Sequence, residues 1–584
     1  MNPLVSDAFV DFLVTDVLEL DALLALPAFE GHSRAETIAP WLAACRRVAR
    51  EVLFPDYRTM DAEPPRFEIG RVSVHPRMKH AWKELCELGV IAAGRPVEVG
   101  GQQLPLTVAT VSHAYLMAGN LAAYAFAGLT TGAAHLIEAF GTDALKARFL
   151  AKLYSGEWTG TMALTEPQAG SSLADVTSRA KPTKDGHYLI SGAKIFISGG
   201  DQDLTDNIVH LVLARIDGAP PGTKGISLFA VPKKREQGST LVPNDVHVSG
   251  VIHKIGWKGL PSLALSFGDE GDCHGWLVGP EHQGLKCMFQ MMNEARIMVG
   301  VNATATASVA FHESLAYARE RKQGRAHGAS PASAPVPLVA HADVRRMLVR
   351  QKAIVEGSLA LLGVTARFAD LSEHATGDDE RARARLLLDL LTPIAKTFPA
   401  EKGFEANALA LQLHGGYGYS SEYLPEAWLR DQKLNTIHEG TTTIQGLDLL
   451  GRKVVAGAGA ALQALGEEIE QDCARATFDV SALRAVLPSV SELVATLGMR
   501  GASGDVEGML VHSADFMDLM STTVVAWVWV KVTAALGART DDFAKGLHAT
   551  REYWFATELP RVPELVRRCQ SGERSFRDFQ DGWF

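Results

Sequence analysis

A carboxylate set in an uncharged stretch beside a glycine is a candidate proton-transfer group, and Glu439 is such a residue in this 584-residue sequence. It stands in Asn435-Thr-Ile-His-Glu-Gly-Thr-Thr-Thr-Ile-Gln445, where His438 is the only other titratable residue. A carboxyl group withdrawn from water has a raised pKa and becomes a better match for abstracting a weakly acidic proton. The His438-Glu439 pair also opens like a zinc-binding helix, but that motif needs a second histidine where Thr442 stands. A metallohydrolase is therefore excluded, and no metal ligands are expected. Taken alone, such a glutamate is more often a solvated or capping residue.

Three other stretches offer binding chemistry. Gly160-Thr-Met-Ala-Leu-Thr-Glu-Pro-Gln-Ala-Gly-Ser171 is polar and turn-forming, so its backbone and small hydroxyls could hold a polar heterocycle edge-on or simply form a surface turn. In Lys194-Ile-Phe-Ile-Ser198, Phe196 and Ser198 are two residues apart and share one face of a strand. That placement suits stacking plus one hydrogen bond, and equally an ordinary half-buried strand. In Leu411-Gln-Leu-His-Gly-Gly-Tyr-Gly-Tyr419 the glycines permit close approach to a phosphate or a tight bend, without the spacing of a dinucleotide fingerprint.

The elements that must position these residues follow from hydrophobic pattern. Residues from about Ala39 to Trp158 read as helices, for example Thr142–Tyr154, where Leu145, Phe149, Leu150 and Leu153 recur at helical spacing. From Gly160 the pattern changes to short runs rich in β-branched residues: Tyr188–Ile190, Lys194–Ile197, Ile208–Ile216, Ile226–Val231 and Leu263–Phe267. Glycine and proline punctuate them, which predicts hairpins rather than βαβ units. Long helical patterns return after Gly284, interrupted by an Ala/Ser/Pro-rich stretch around Gly324–Pro337. The expected fold class is α+β, with five segments: an N-terminal extension (1–38), an N-terminal helical domain (39–159), a middle β-domain (160–283), a helical bundle with the candidate base (284–456) and an additional helical domain (457–584). In the last, Val524, Val525, Trp527, Val528 and Trp529 read as a buried helix core.

Bulk properties exclude several classes. A net charge of −10 argues against nucleic-acid binding, which needs concentrated positive potential. Six cysteines (Cys45, Cys86, Cys273, Cys287, Cys473, Cys569) lie far apart without a CxxC pair, fitting reduced thiols. Acidic residues interrupt the N-terminal apolar stretch, so no signal peptide is read, and Val524–Val530 is too short to span a bilayer. No integral membrane segment and a cytoplasmic location are expected.

Taken in order, five stretches resemble the acyl-CoA dehydrogenase family over about residues 40–455: Leu164-Thr-Glu-Pro-Gln-Ala-Gly-Ser171, Gly192-Ala-Lys-Ile-Phe-Ile-Ser198, Tyr317-Ala-Arg-Glu-Arg321, Gln412-Leu-His-Gly-Gly416 and Ile437-His-Glu-Gly-Thr441. Length and the helical tail resemble a longer branch that includes 3-methylmercaptopropionyl-CoA dehydrogenases and bacterial fatty acyl-CoA dehydrogenases. The resemblance implies an FAD-dependent enzyme in which Glu439 is the catalytic base. Met162, Leu164, Thr165, Phe196 and Ser198 would line the flavin ring, and Thr441 would contact FAD beside the base. Arg321, Gln323, Gln412, Gly415 and Gly416 would reach the cofactor of a neighbouring subunit, implying a homodimer or homotetramer. Ser171, Asn293 and Arg296 fall where the family contacts the CoA thioester arm.

The resemblance also implies a mechanism. Glu439 takes the α-proton of an acyl-CoA while the β-hydrogen leaves as hydride to flavin N5, giving a trans-2-enoyl-CoA, with an electron-transfer flavoprotein as the next acceptor. His438 stands where the family often has tyrosine: an imidazolium there would lower the pKa of the base, and a neutral ring would merely pack. An acyl-CoA oxidase using O₂, and a non-dehydrogenating flavin-binding protein on the same fold, are the alternative readings.

Overall fold

The computed structural model describes residues 2–455, 457 and 459–584, with the side chains of 289–293 outside that description. The chain divides into two compact units, one of residues 35–104 and 115–295, the other of 1–34, 105–114 and 296–584.

The first unit contains the early helices and the sheet. Helix Asp143–Tyr154 starts where the pattern predicts, with the Thr142 hydroxyl accepting from the Leu145 N–H at 3.4 Å. The sheet has eight strands, and its spatial order is 246–251, 262–267, 188–198, 274–278, 226–232, 208–216, 159–163. Strand Arg179–Pro182 pairs with both 188–198 and 208–216, so the pairings 188–198, 274–278, 226–232, 208–216 and 179–182 close into a ring. All contacts are antiparallel except those of 208–216 with 159–163 and 179–182. Ile208–Ile216 is buried along nearly its whole length, which its run of β-branched and aliphatic residues permits. Inside lie Ile190, Ile197, Val212, Phe229, Leu263 and Phe267.

Two differences from the sequence reading matter for the site. Thr159–Ala163 is a strand rather than part of a polar loop: its small residues fit a crowded position, and the Thr161 hydroxyl donates to the Ser198 carbonyl at 2.7 Å. The runs 188–190 and 194–197 form one strand, Tyr188–Ser198, carrying a bulge. Leu263 faces Ile197 and Leu265 faces Lys194, so Ile195 and Phe196 together oppose the single residue Ala264.

The second unit is helical. Its long helices are Ala342–His374 and Asp378–Leu413, the latter containing Pro393 and Pro399. The segment read as an extension forms short helices with Leu4, Phe9, Val10 and Leu13 buried, and Asn2 donates to the Val309 carbonyl at 2.9 Å. Ser513–Ala534 buries Trp527 and Trp529 completely, as its all-round hydrophobicity predicts. Residues 325–337 form no helix or strand. One described helix, Ser481–Ala502, is apolar and long enough to cross a membrane by length and composition alone. It contains Pro488, buries a single stripe (Leu483, Val486, Val490, Leu493, Leu497), and has Arg484 bonded to Glu470 at 3.0 Å, as a packed amphipathic helix does. All six cysteines are free.

Candidate functional site

Glu439 occupies a short loop between the turn at Leu434–Thr436 and helix Thr442–Leu447, whose N-terminus is capped by Thr441 accepting from the Ile444 N–H. Its backbone is left-handed, with φ of 52°, and Gly440 follows at 90°. A bulky non-glycine residue rarely adopts this conformation, and strain of this kind persists only where the surroundings over-determine it. Here the carbonyl of the base and the next one along the chain are held by buried side chains. Gln445 donates to the Glu439 carbonyl at 2.9 Å, and Lys396, from helix Asp378–Leu413, donates to the Gly440 carbonyl at 2.8 Å. Position 440 favours glycine, since its φ of 90° strains any other residue and a Cβ would lie 2.7 Å from the Gln445 amide nitrogen, disturbing that clamp.

Glu439 is exposed as a residue, yet the surrounding protein desolvates its carboxyl enough to raise its pKa; the positive charges of Lys396 and Arg296 oppose that rise. Burial, aided by the Lys396 charge, depresses His438 to about 3, so its ring is neutral at physiological pH. Of the two readings of His438, this direction favours the neutral ring. Arg296 is buried, and one of its nitrogens donates to Asp448 at 2.7 Å. Its guanidinium thus lies within a buried ion pair and acts on the base through its charge. Ser171 is exposed, and the side chain of Asn293 lies outside the described residues.

The sheet presents the second group of residues. The bulge turns Phe196 outward with φ of 60° and leaves it 59 % exposed, an unusual state for an aromatic ring on a strand. Met162, Leu164, Thr165 and Ser198 are half-buried around it. The Ile195 N–H donates to the Thr165 carbonyl at 2.9 Å, and the fully buried Lys194 ammonium donates to the Leu164 carbonyl at 3.0 Å. Lys194 also pairs with Glu166 at 2.8 Å. Burial alone would raise the Glu166 carboxyl, but Lys194, Ser178 and the Thr177 N–H hold it at about 2. Burial lowers Lys194 to about 8 against the attraction of Glu166. The two shifts point opposite ways for the pair; the close contact and the additional donors on Glu166 favour the ionised pair at neutral pH.

The third group lines a cavity of about 550 Å³ that brings together Arg321, Gln323, Gly415 and Gly416 with His414 and Tyr417. Gly415 has φ of 60°, and the Arg321 guanidinium lies 5.9 Å from the Tyr417 ring centre. Gln412 is exposed and stands outside this lining. Sequence reasoning missed Lys396, Lys194, Gln445 and Asp448. A signal existed for Lys396, a lone charge within the apolar run Leu390–Ala400.

Comparison with known proteins decides the family. Models of the acyl-CoA dehydrogenase N-terminal, middle and C-terminal domains match residues 39–157, 161–269 and 282–454, and an acetyl-CoA dehydrogenase C-terminal-like model matches 465–580. The chain is 37 % identical over 508 residues to 3-methylmercaptopropionyl-CoA dehydrogenase of Ruegeria pomeroyi, covering 86 % of this chain and 85 % of that protein. The chain belongs to the acyl-CoA dehydrogenase family. Butyryl-CoA dehydrogenase of Syntrophomonas wolfei is 32 % identical, with 98 % of each chain covered. The structure of a Bacillus anthracis acyl-CoA dehydrogenase complexed with FAD shares the fold, with a TM-score of 0.75 at 20 % identity over 97 % of this chain and 92 % of that one. Members of this family are oxidoreductases, and the helical, sheet, helical and additional helical parts follow the family's order.

Proposed function

We propose that this acyl-CoA dehydrogenase family member binds FAD and desaturates an acyl-CoA thioester to the trans-2-enoyl-CoA, with Glu439 as the base. The observation that carries the reading is the Glu439 loop. A desolvated carboxyl of raised pKa stands on a backbone held in a left-handed turn by side chains clamping its own carbonyl and the one that follows. Such a group suits removal of a weakly acidic α-proton, because the basicity of a carboxylate rises with its pKa. Thioester binding must bring the α-carbon to this carboxyl and exclude water from it. Bound FAD supplies the two-electron acceptor for the β-hydrogen.

The residues present fit that cofactor. The exposed Phe196 ring and the anchored backbone of 162–165 offer a flat apolar face with a polar edge, suited to a heterocycle. The Arg321 cavity offers a cation and glycine backbone, suited to the phosphate-bearing part. We place Met162, Leu164, Thr165, Phe196, Ser198 and Thr441 at the ring. Arg321, Gln323, Gln412, Gly415 and Gly416 are placed at the cofactor of a neighbouring subunit in a homo-oligomer, and Ser171, Asn293 and Arg296 on the thioester arm. An electron-transfer flavoprotein is the expected acceptor. Phe196→Ala should weaken FAD binding about tenfold, an aromatic contact of about 1 kcal/mol or more, while Phe196→Trp retains it; flavin release on dilution checks this.

The test of the reaction is anaerobic. Saturated acyl-CoAs of graded length, with methylmercaptopropionyl-CoA among them, are added to the purified flavoprotein while flavin absorbance is followed. Bleaching by some of them is expected, with slow peroxide release when air is admitted. Turnover-rate peroxide release would make the protein an oxidase. Bound flavin that dithionite reduces but no acyl-CoA does would overturn the dehydrogenase reading.

A further inference from the structure

Lys396 is a buried cation whose hydrogen bond runs to a backbone carbonyl. Its side chain lies in the apolar run between Pro393 and Pro399 of helix Asp378–Leu413 and is fully inaccessible to solvent. Among the described residues it makes no ion pair within 4.0 Å, the charges of Glu401 and Glu439 acting on it from farther off, and its hydrogen bond to the Gly440 carbonyl at 2.8 Å ties it to the base loop. A buried ammonium with only a neutral acceptor is costly, so a role that needs the charge is indicated. The site of its bond is informative. Gly440 immediately follows Glu439, and the neighbouring carbonyl, that of Glu439, is held by Gln445 at 2.9 Å. The two donors grip successive peptide units of a turn in which Glu439 has φ of 52°.

We propose that Lys396 is a positioning residue for the base, its ammonium fixing the turn that presents Glu439 and compensating the charge of the Glu439 carboxylate. This rests on the assignment of Glu439 as the base. The charged groups acting on Lys396 are Glu401 and Glu439, which favour the ammonium, and Arg296, which opposes it; Arg296 is itself paired with Asp448. His438 is held neutral, partly by Lys396. Burial brings Lys396 to about 8, so the clamp loosens as pH rises through that region. Removing the cation raises the Glu439 pKa further, since Lys396 lowers it. The acid limb of the rate profile, which follows ionisation of the base, then moves to higher pH.

The experiment measures the pre-steady-state rate of flavin bleaching by the best acyl-CoA between about pH 4 and 10, the span from an ordinary glutamate to an ordinary lysine, for wild type, Lys396→Met and Lys396→Arg. Wild type should lose rate above about pH 8. Lys396→Met should keep flavin and acyl-CoA binding, bleach about 100-fold more slowly, as a misplaced catalytic group does, and show its acid limb at higher pH. Lys396→Arg should recover part of the rate and return the limb toward wild type. If Lys396→Met does not fold, the wild-type alkaline limb and the Arg variant decide. Unchanged rates and profiles in variants of a wild type that bleaches would overturn the proposal. A wild type that no acyl-CoA bleaches would instead remove the assignment of the base beneath it.

Discussion

Glu439→Gln should bind FAD and acyl-CoA much as wild type does, yet bleach about 10³-fold more slowly, the scale expected for losing a general base. The substitution is nearly isosteric, and the contacts that hold the loop act on backbone carbonyls rather than on the carboxyl group. Gln445 grips the Glu439 carbonyl and Lys396 the Gly440 carbonyl. The turn and its strain should therefore survive the change. Wild-type bleaching should rise with pH as the carboxyl ionises, and burial places that rise above the ordinary glutamate range. Glu439→Gln has no such group and should lack the limb. Stopped-flow absorbance under anaerobic conditions measures both effects. Near-normal bleaching by the variant would remove Glu439 from the chemistry and leave the loop without an assigned purpose.

The sequence makes the repeating elements legible because their signals are local. Ile208–Ile216 is read to the residue from its β-branched run, and the buried core at Val524–Val530 from hydrophobicity on every helix face. Thr142 announces a helix start and caps it. Four features that the sequence left unread or only partly read depend on distant partners or on backbone geometry. Thr161 reads as part of a polar loop but lies in a strand and satisfies its hydroxyl on the Ser198 carbonyl, 37 positions away. Lys194 and Lys396 would ordinarily be solvated, and only folding brings Glu166 to the first, 28 positions earlier, and Gly440 to the second, 44 positions later. Simple alternation places Phe196 and Ser198 on one face, and both do face outward around buried Ile197, but the bulge that exposes the ring depends on pairing with Leu263–Leu265. The base itself is visible as a charge out of place. The clamp that holds it is not, because amide and ammonium donors are read from sequence as surface groups.

The largest structural effect should come from Lys194→Met. It leaves the Glu166 carboxylate, whose side chain is 1 % exposed, without its countercharge, and breaking a buried pair in this way costs about 3–5 kcal/mol. Donors remain on Glu166: the Thr177 N–H at 2.7 Å, the Ser178 N–H at 3.0 Å, both hydroxyls and Gln168. These soften the loss without replacing a charge. The pH dependence has a defined sign. The folded-state pKa of Glu166, about 2, lies below its ordinary 4.5, so its stabilisation is full above pH 4.5 and is lost as pH falls toward 2. Without Lys194 the folded-state pKa rises, and acid resistance of the sheet should fall correspondingly. Because the chain has two compact units, a single unfolding midpoint would mix them; amide exchange in 159–198 reads the sheet directly. Flavin should be lost as well, since Lys194 also holds the Leu164 carbonyl beside the proposed ring site. The double variant Lys194→Met, Glu166→Gln separates the two roles. Recovery of exchange protection without recovery of flavin would mean that the ion pair stabilises the sheet while the bond to Leu164 shapes the binding face. Failure to recover protection would place the stabilisation in the Leu164 bond and in side-chain packing instead.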